Sequence, residues 1–225
     1  MANMSAMLRA VLFDFDGLVV DTESIGYQTW NEIFQAHGHS LAVEHYAHVV
    51  GTNFATAYDP RRDLEARTGK SFDWPPIEAQ RRLREKELHR GMNTPLPGVL
   101  PVLEQARSLG IRRAIASSSQ REWIDSWMRQ LALGPHFEHF STFDDTGRVK
   151  PDPSLFLHAA QALDVAPDEV LVLEDSLNGL RAASAAGMRC IVVPGPMTRH
   201  LDFAGAWRQL PSLEAVCLQE ISARW

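Results

Sequence analysis

The chain has 225 residues, 45% of them hydrophobic and 22% charged, with a formal net charge of -6. That size and mix suit one sizeable globular domain, or a core with a smaller inserted partner. The acid excess argues against general nucleic-acid or anionic-membrane binding, while leaving room for a local basic pocket.

The N-terminal "MANMSAMLRA" lacks the apolar segment of a secretory signal, and no apolar run reaches the roughly 18 residues needed to span a bilayer. The first strand-like run covers Ala10–Phe15, within "VLFDFDGLVVD". Asp14 and Asp16 interrupt it, although carboxylates are costly to bury unpaired. Side chains two apart on a strand point the same way, so both carboxylates can enter one crevice at the strand's C-terminal end. Gly17 then lets the chain leave abruptly. Two carboxylates this close need a cation, a proton or both. Asp21 and Thr22 read as turn and cap residues, with a catalytic-loop role as the alternative. Glu23 is either pocket-facing or part of a solvated helix start.

Residues 22–94 are richer in charge and helix formers, as in "IEAQRRLREKELHR", and show no convincing buried strand. They are predicted to form a helical insertion returning through "NTPLPGV", placed over the strand ends where open α/β sheets bind ligands. His37, His39, His45 and His48 crowd this insertion, but without cysteine or a clean zinc spacing they read as surface. "TGKS" at Thr68–Ser71 mimics the tail of a nucleotide-binding P-loop, yet Leu64 stands where the motif needs glycine and no strand precedes it.

Helical spacing then marks Val102, Leu103, Ala106 and Leu109, followed by a strand at Arg113–Ala116. Its end, "AIASSSQ", puts Ser117 and Ser118 where a strand gives way to a helix, a setting in which hydroxyls and free amides hold phosphate. Trp123 and Trp127, four apart on the next helix, read as packing residues; an exposed dimer patch is the lesser alternative, and a monomer is expected. In "GRVKPDPSLF", Lys150 precedes Pro151 and a capped helix start at Asp152–Pro153, a fixed setting for a cation that neutralises phosphate and carboxylate charge. The helix carried by Leu155, Phe156, Ala159, Ala160 and Leu163 leads to a strand at Val170–Leu173. Glu174 and Asp175 end that strand with hard oxygen ligands suited to Mg²⁺, and Ser176 is a sensible N-cap. Leu180, Ala183, Ala186 and Met188 mark a further helix, with Gly187 as its terminator, before a strand at Cys190–Val193. Cys190 and Cys217 form no disulfide framework, and Cys190 reads as a small buried thiol, so a reducing, cytoplasmic compartment is expected. Alternation of strands apolar on both faces with helices predicts a parallel sheet covered by helices.

The order DxD, Ser, Lys, Glu-Asp, each at or near a strand end, resembles the haloacid dehalogenase superfamily of phosphotransferases. The nearest likeness is the branch of β-phosphoglucomutase and related sugar-phosphate phosphatases. The motifs are "DFDGLVVDTE" at Asp14–Glu23, "IASSS" at Ile115–Ser119, "KPDP" at Lys150–Pro153 and "LEDSLNG" at Leu173–Gly179. The resemblance implies a Rossmann-like α/β core from residues 1–21 and 95–225, with residues 22–94 as an inserted α-helical cap. It implies a Mg²⁺-dependent phosphatase acting on a small phosphorylated metabolite. Asp14 would be the nucleophile that becomes an aspartyl-phosphate, and Asp16 the acid and base. Ser117, Ser118 and Lys150 would bind the phosphoryl group, and Asp14, the Asp16 carbonyl, Glu174 and Asp175 the Mg²⁺. The mutase cap's arginine for a second phosphate falls at Phe54 by rough alignment, and its hinge histidine at Gly26; Arg61, Arg62 and Lys70 are the cations available to compensate. Hydrolysis is therefore favoured over mutase action, with a non-catalytic binding protein as the rival from another class.

Overall fold

The computed structural model describes residues 7–52 and 58–225. Its centre is a six-stranded sheet of β1 (Ala10–Phe13), β2 (Arg112–Ala116), β3 (His139–Ser141), β4 (Val170–Glu174), β5 (Arg189–Val192) and β6 (Arg208–Gln209), in the order β3-β2-β1-β4-β5-β6. Every pairing is parallel, and the order reverses beside β1, the arrangement of doubly wound α/β proteins.

Among the described residues, ten α-helices accompany the strands: α1 (Thr22–Ala36), α2 (Val43–Tyr46), α3 (Pro60–Thr68), α4 (Trp74–His89), α5 (Val99–Ser108), α6 (Arg121–Gln130), α7 (Phe143–Thr146), α8 (Ser154–Ala162), α9 (Leu177–Ala185) and α10 (Leu218–Ala223). Alternate strand residues feed two cores. Val11, Phe13, Ile115, Leu171 and Leu173 pack with α5, α6 and α10, while Ala10, Leu12, Ala114, Val170 and Val172 pack with α8 and α9. Both faces of the sheet are thus buried, as the uninterrupted apolar runs require. Cys190 is a free, buried thiol of the second core, and burial raises its pKa. Among the described residues, no helix is long and apolar enough to cross a membrane.

Helices α1 to α4 surround an apolar cluster of their own, built on Trp30, Phe34, Leu41, Tyr46 and Leu64. The "TGKS" segment is the stop of α3: Gly69 closes it at φ 67°. His37 and His45 pack against Phe72 and Tyr58, at 4.7 and 5.5 Å between ring centres.

The end of the first strand and two short strands differ from the sequence reading. β1 pairs only as far as Phe13, because the chain folds back through Gly17 (φ 89°), whose amide donates to Val20 O at 2.7 Å. Gly187, at φ 73°, follows the end of α9 as expected. β3 and β6, three and two residues long, carry no apolar run from which to read them.

Candidate active site

Register determines which side chains meet. Phe13 is level with Ile115 of β2 and Leu173 of β4, so Asp14 emerges beside Glu174 at the carboxyl edge of the sheet. The Asp14 amide donates to Leu173 O at 3.0 Å and locks that step. Asp14, Lys150, Glu174 and Asp175 are all buried.

The Lys150 ammonium donates to Asp14 Oδ1 and, at 2.5 Å, to Glu174 Oε1. Glu174 Oε2 accepts from the amides of Asp175 (3.1 Å) and Ser176 (3.2 Å) and from the Ser176 hydroxyl (3.0 Å). Ser176 caps α9 as its composition suggested, accepting from Gly179 N at 3.0 Å. Glu174 is therefore clamped on both oxygens. Asp14 Oδ2 and Asp175 Oδ1 are buried without any hydrogen-bond partner. One oxygen each from Asp14, Glu174 and Asp175 lies within 4.8 Å of the others.

Three carboxylates against one ammonium leave excess negative charge in a medium that screens it poorly. Burial pushes the Asp14 carboxyl up to about 8, the Glu174 charge adding to the rise and Lys150 opposing it. Burial, with the charges of Asp14 and Glu174, also holds Asp175 well above the usual carboxylate range. Burial would lower the Lys150 ammonium, but Asp14 and Glu174 outweigh it and hold the amine above its ordinary value. The donor set is all-oxygen and negative, with two bare oxygens, which fits a hard divalent cation.

Asp16 lies above this cluster and accepts from four side chains. Thr22 Oγ1 (2.8 Å) and Trp123 Nε1 (2.9 Å) donate to its Oδ1; Ser119 Oγ (2.6 Å) and Ser117 Oγ (3.5 Å) donate to its Oδ2. Asp14, Asp16, Ser117 and Ser118 all line one cavity of about 340 Å³, a small-metabolite size. The Ser118 hydroxyl is already engaged, donating to Gly51 O (2.8 Å) and accepting from Lys150 N (3.1 Å), which leaves its backbone amide for an anion.

Thr22 and Glu23 both line the cavity, while Asp21 is the N-cap of α1, accepting from Ser24 N at 3.1 Å. Ser119, Trp123 and His89 also reach the cavity, and none was singled out for it from sequence. The serine triplet was a signal for Ser119, but which hydroxyls face inward is decided by the turn. Trp123 was read as packing; its ring does pack edge-on to Trp127 (5.7 Å) and His89 (5.3 Å), yet its N–H is spent on Asp16. Arg61, Arg62 and Lys70 are not among the lining residues; Arg61 is held by Asp59 (2.9 Å) and Glu78 (3.2 Å). The Phe54 position lies outside the described residues.

Comparison with known proteins agrees with this geometry. The family description "haloacid dehalogenase-like hydrolase" matches residues 8–187. YhcW of Bacillus subtilis is 39% identical over 212 residues, 92% of this chain and 93% of that one. The crystal structure of CbbY from Rhodobacter sphaeroides in complex with phosphate superposes with a TM-score of 0.70 at 32% identity, covering 93% of this chain and 96% of that one. A mutant of the same CbbY has been crystallised with xylulose-1,5-bisphosphate. β-Phosphoglucomutase of Clostridium difficile shares the fold, with a TM-score of 0.77 at 20% identity over 97% of both chains. This chain belongs to the haloacid dehalogenase-like hydrolase family.

Proposed function

We propose that this hydrolase is a Mg²⁺-dependent phosphatase that cleaves a small phosphate monoester through an aspartyl-phosphate on Asp14. The observation that carries the reading is Asp14 itself. It lines the cavity, one of its oxygens is held by the buried Lys150 ammonium, and the other has no partner.

A carboxylate oxygen of Asp14 attacks phosphorus, the bond from phosphorus to the ester oxygen breaks, and Asp16 delivers a proton to the departing oxygen. Asp16 then takes a proton from water as the water oxygen attacks the same phosphorus. The bond to Asp14 breaks, releasing inorganic phosphate and restoring both carboxyls. Lys150, the Ser117 hydroxyl and the amide of Ser118 hold the phosphoryl oxygens. Asp14 and Asp175 would offer their bare oxygens to Mg²⁺, with the Asp16 carbonyl and Glu174 as the further groups available to hold it. Bound there, Mg²⁺ supplies positive charge that offsets the charge on the transferring group. Residues 22–94 act as the cap, with Asn178 of α9 donating to His48 O (3.1 Å) and Val50 O (2.9 Å) across the boundary. A cap so placed keeps bulk water away from the phosphoenzyme.

The test is release of inorganic phosphate from a panel of sugar, nucleoside and short-chain phosphate esters, with Mg²⁺ and with chelator. Hydrolysis is expected with Mg²⁺ and is lost in Asp14→Asn. An Asp14→Asn protein as fast as the parent would overturn the mechanism.

A further inference from the structure

The three carboxylates of the buried cluster are held in different ways. Both Glu174 oxygens are clamped, and Asp14 Oδ1 is held by Lys150. Asp175 Oδ1 is buried with no partner. The Asp175 carboxylate lies against backbone instead. A Cβ added at Gly17 would sit 2.2 Å from Asp175 Oδ2, and one added at Gly195 would sit 3.8 Å from it. Asp175 is also the first residue beyond β4, past the last rung of the sheet at Glu174 and Val192. Its aim is therefore set through its own backbone. The Asp175 amide donates to Glu174 Oε2 at 3.1 Å, and the Asp175 carbonyl accepts from the Thr198 hydroxyl at 2.7 Å.

Thr198 stands on the turn that follows β5. Its side chain is completely buried, and it does not line the cavity above Asp14. The turn is anchored beside Asp175 at its start, where Val193 N donates to Glu174 O at 2.7 Å. Thr198 then closes the turn on itself. Its hydroxyl accepts from Gly195 N at 3.1 Å, while its amide donates to Gly195 O at 3.1 Å. A hydroxyl has one proton to give, and with Gly195 N donating to its oxygen that proton is directed at the Asp175 carbonyl. Valine has the same shape and no polar atom to bury, yet it would strip both the Asp175 carbonyl and the Gly195 amide of these bonds.

We infer that Thr198 is a positioning residue whose hydroxyl fixes the aim of the Asp175 carboxylate toward a divalent cation. The turn after β5 thereby joins the strand ends in building the metal site. This rests on the Mg²⁺ reading above and adds to it a group that touches neither cation nor ester. Supporting groups of this kind are worth about 10–100-fold in metal affinity or activity. Mg²⁺ demands near-ideal octahedral geometry, whereas Ca²⁺ accepts more flexible sites. A misaimed Asp175 thus penalises Mg²⁺ more than Ca²⁺, while a merely loosened fold penalises both alike.

Calorimetric titration of Mg²⁺, and separately of Ca²⁺, into the parent, Thr198→Val and Thr198→Ser proteins reads this without turnover. Thr198→Val is expected to weaken Mg²⁺ binding by about tenfold or more and Ca²⁺ binding by less. Thr198→Ser, which keeps the hydroxyl, returns the Mg²⁺ Kd to that of the parent. Thr198→Val binding Mg²⁺ as tightly as the parent overturns the inference. So does Thr198→Ser as weak as Thr198→Val, or an equal loss for both cations. If Thr198→Val does not fold, Thr198→Ala carries the same measurement, and failure of both to fold makes the residue structural and ends the inference. A parent protein that binds no Mg²⁺ takes down the metal reading together with the inference, whereas unaltered binding in the variants takes down the inference alone.

Discussion

Asp16 is the residue whose surroundings say most about its work. Four donors converge on its carboxylate, two of them from the β2–α6 turn and one from the indole of Trp123. In the proposed mechanism Asp16 would first give and then take a proton, which needs a fixed position more than a fixed charge, and positioned acid–base groups contribute on the order of 10²–10⁴-fold in rate. Trp123→Phe keeps the ring that packs on His89 and Trp127 but deletes the donor. We expect kcat on an alkyl phosphate, whose alkoxide must be protonated as it leaves, to fall by about tenfold with little change in KM. On p-nitrophenyl phosphate, whose leaving group needs no proton, the loss should be much smaller. Equal losses on both esters would show that Trp123 acts only through packing. This role was not legible in sequence. Tryptophans four apart describe one helix face, and only the rotation of α6 against β1 separates the buried Trp127 from the cavity-lining Trp123.

At the scale of elements, strand ends and helix starts build the site together. Glu174 ends β4, and α9 begins so close behind it that a Cβ added at Gly179 would lie 1.8 Å from the Glu174 carboxyl carbon. Glycine there is a spatial necessity, not a flexible joint, since nothing in that contact can yield without moving the carboxylate. Gly179→Ala is therefore expected to displace Glu174 from Lys150 and the Ser176 cap, weakening Mg²⁺ activation by about 10–100-fold, the usual cost of disturbing a supporting group. Activity titrated against Mg²⁺ reads this directly, and an unchanged activation constant would refute it. The glycine in "LEDSLNG" was visible as part of a motif; its reason, the collision with Glu174, needs the packing. The short strands β3 and β6 escaped notice for a related cause. Three and two residues exist as strands only because β2 and β5 offer unpaired edges beside them.

For the molecule as a whole, the proposed Mg²⁺ site in the buried acidic cluster would couple folding to divalent cations. A ligand that binds only the native state at a hundred times its Kd adds about 2.7 kcal/mol. In a domain of this size that corresponds to a rise in Tm of roughly 5–10 °C. We expect Mg²⁺ to raise the melting temperature by several degrees, and Asp175→Asn, which removes one of the two bare oxygens, to abolish most of the rise. Differential scanning calorimetry with Mg²⁺ and with chelator checks this without reference to turnover. A melting temperature indifferent to Mg²⁺, or shifted equally in Asp175→Asn, would exclude a metal held between Asp14 and Asp175.

By itself the amino-acid sequence determined the parallel α/β core and the set of groups at its carboxyl edge. Apolar runs buried on both faces demand helices on both sides, and two aspartates two apart at the end of such a run mark its carboxyl edge, where both line the cavity. Both signals are local, so they survive without coordinates. The tertiary structure decided that Ser117 and Ser119 of the triplet touch Asp16 while the Ser118 hydroxyl turns to Gly51, and that Trp123 and not Trp127 faces the cavity. Those facts depend on how separate elements are rotated and seated against one another, and no periodicity within a single element records that.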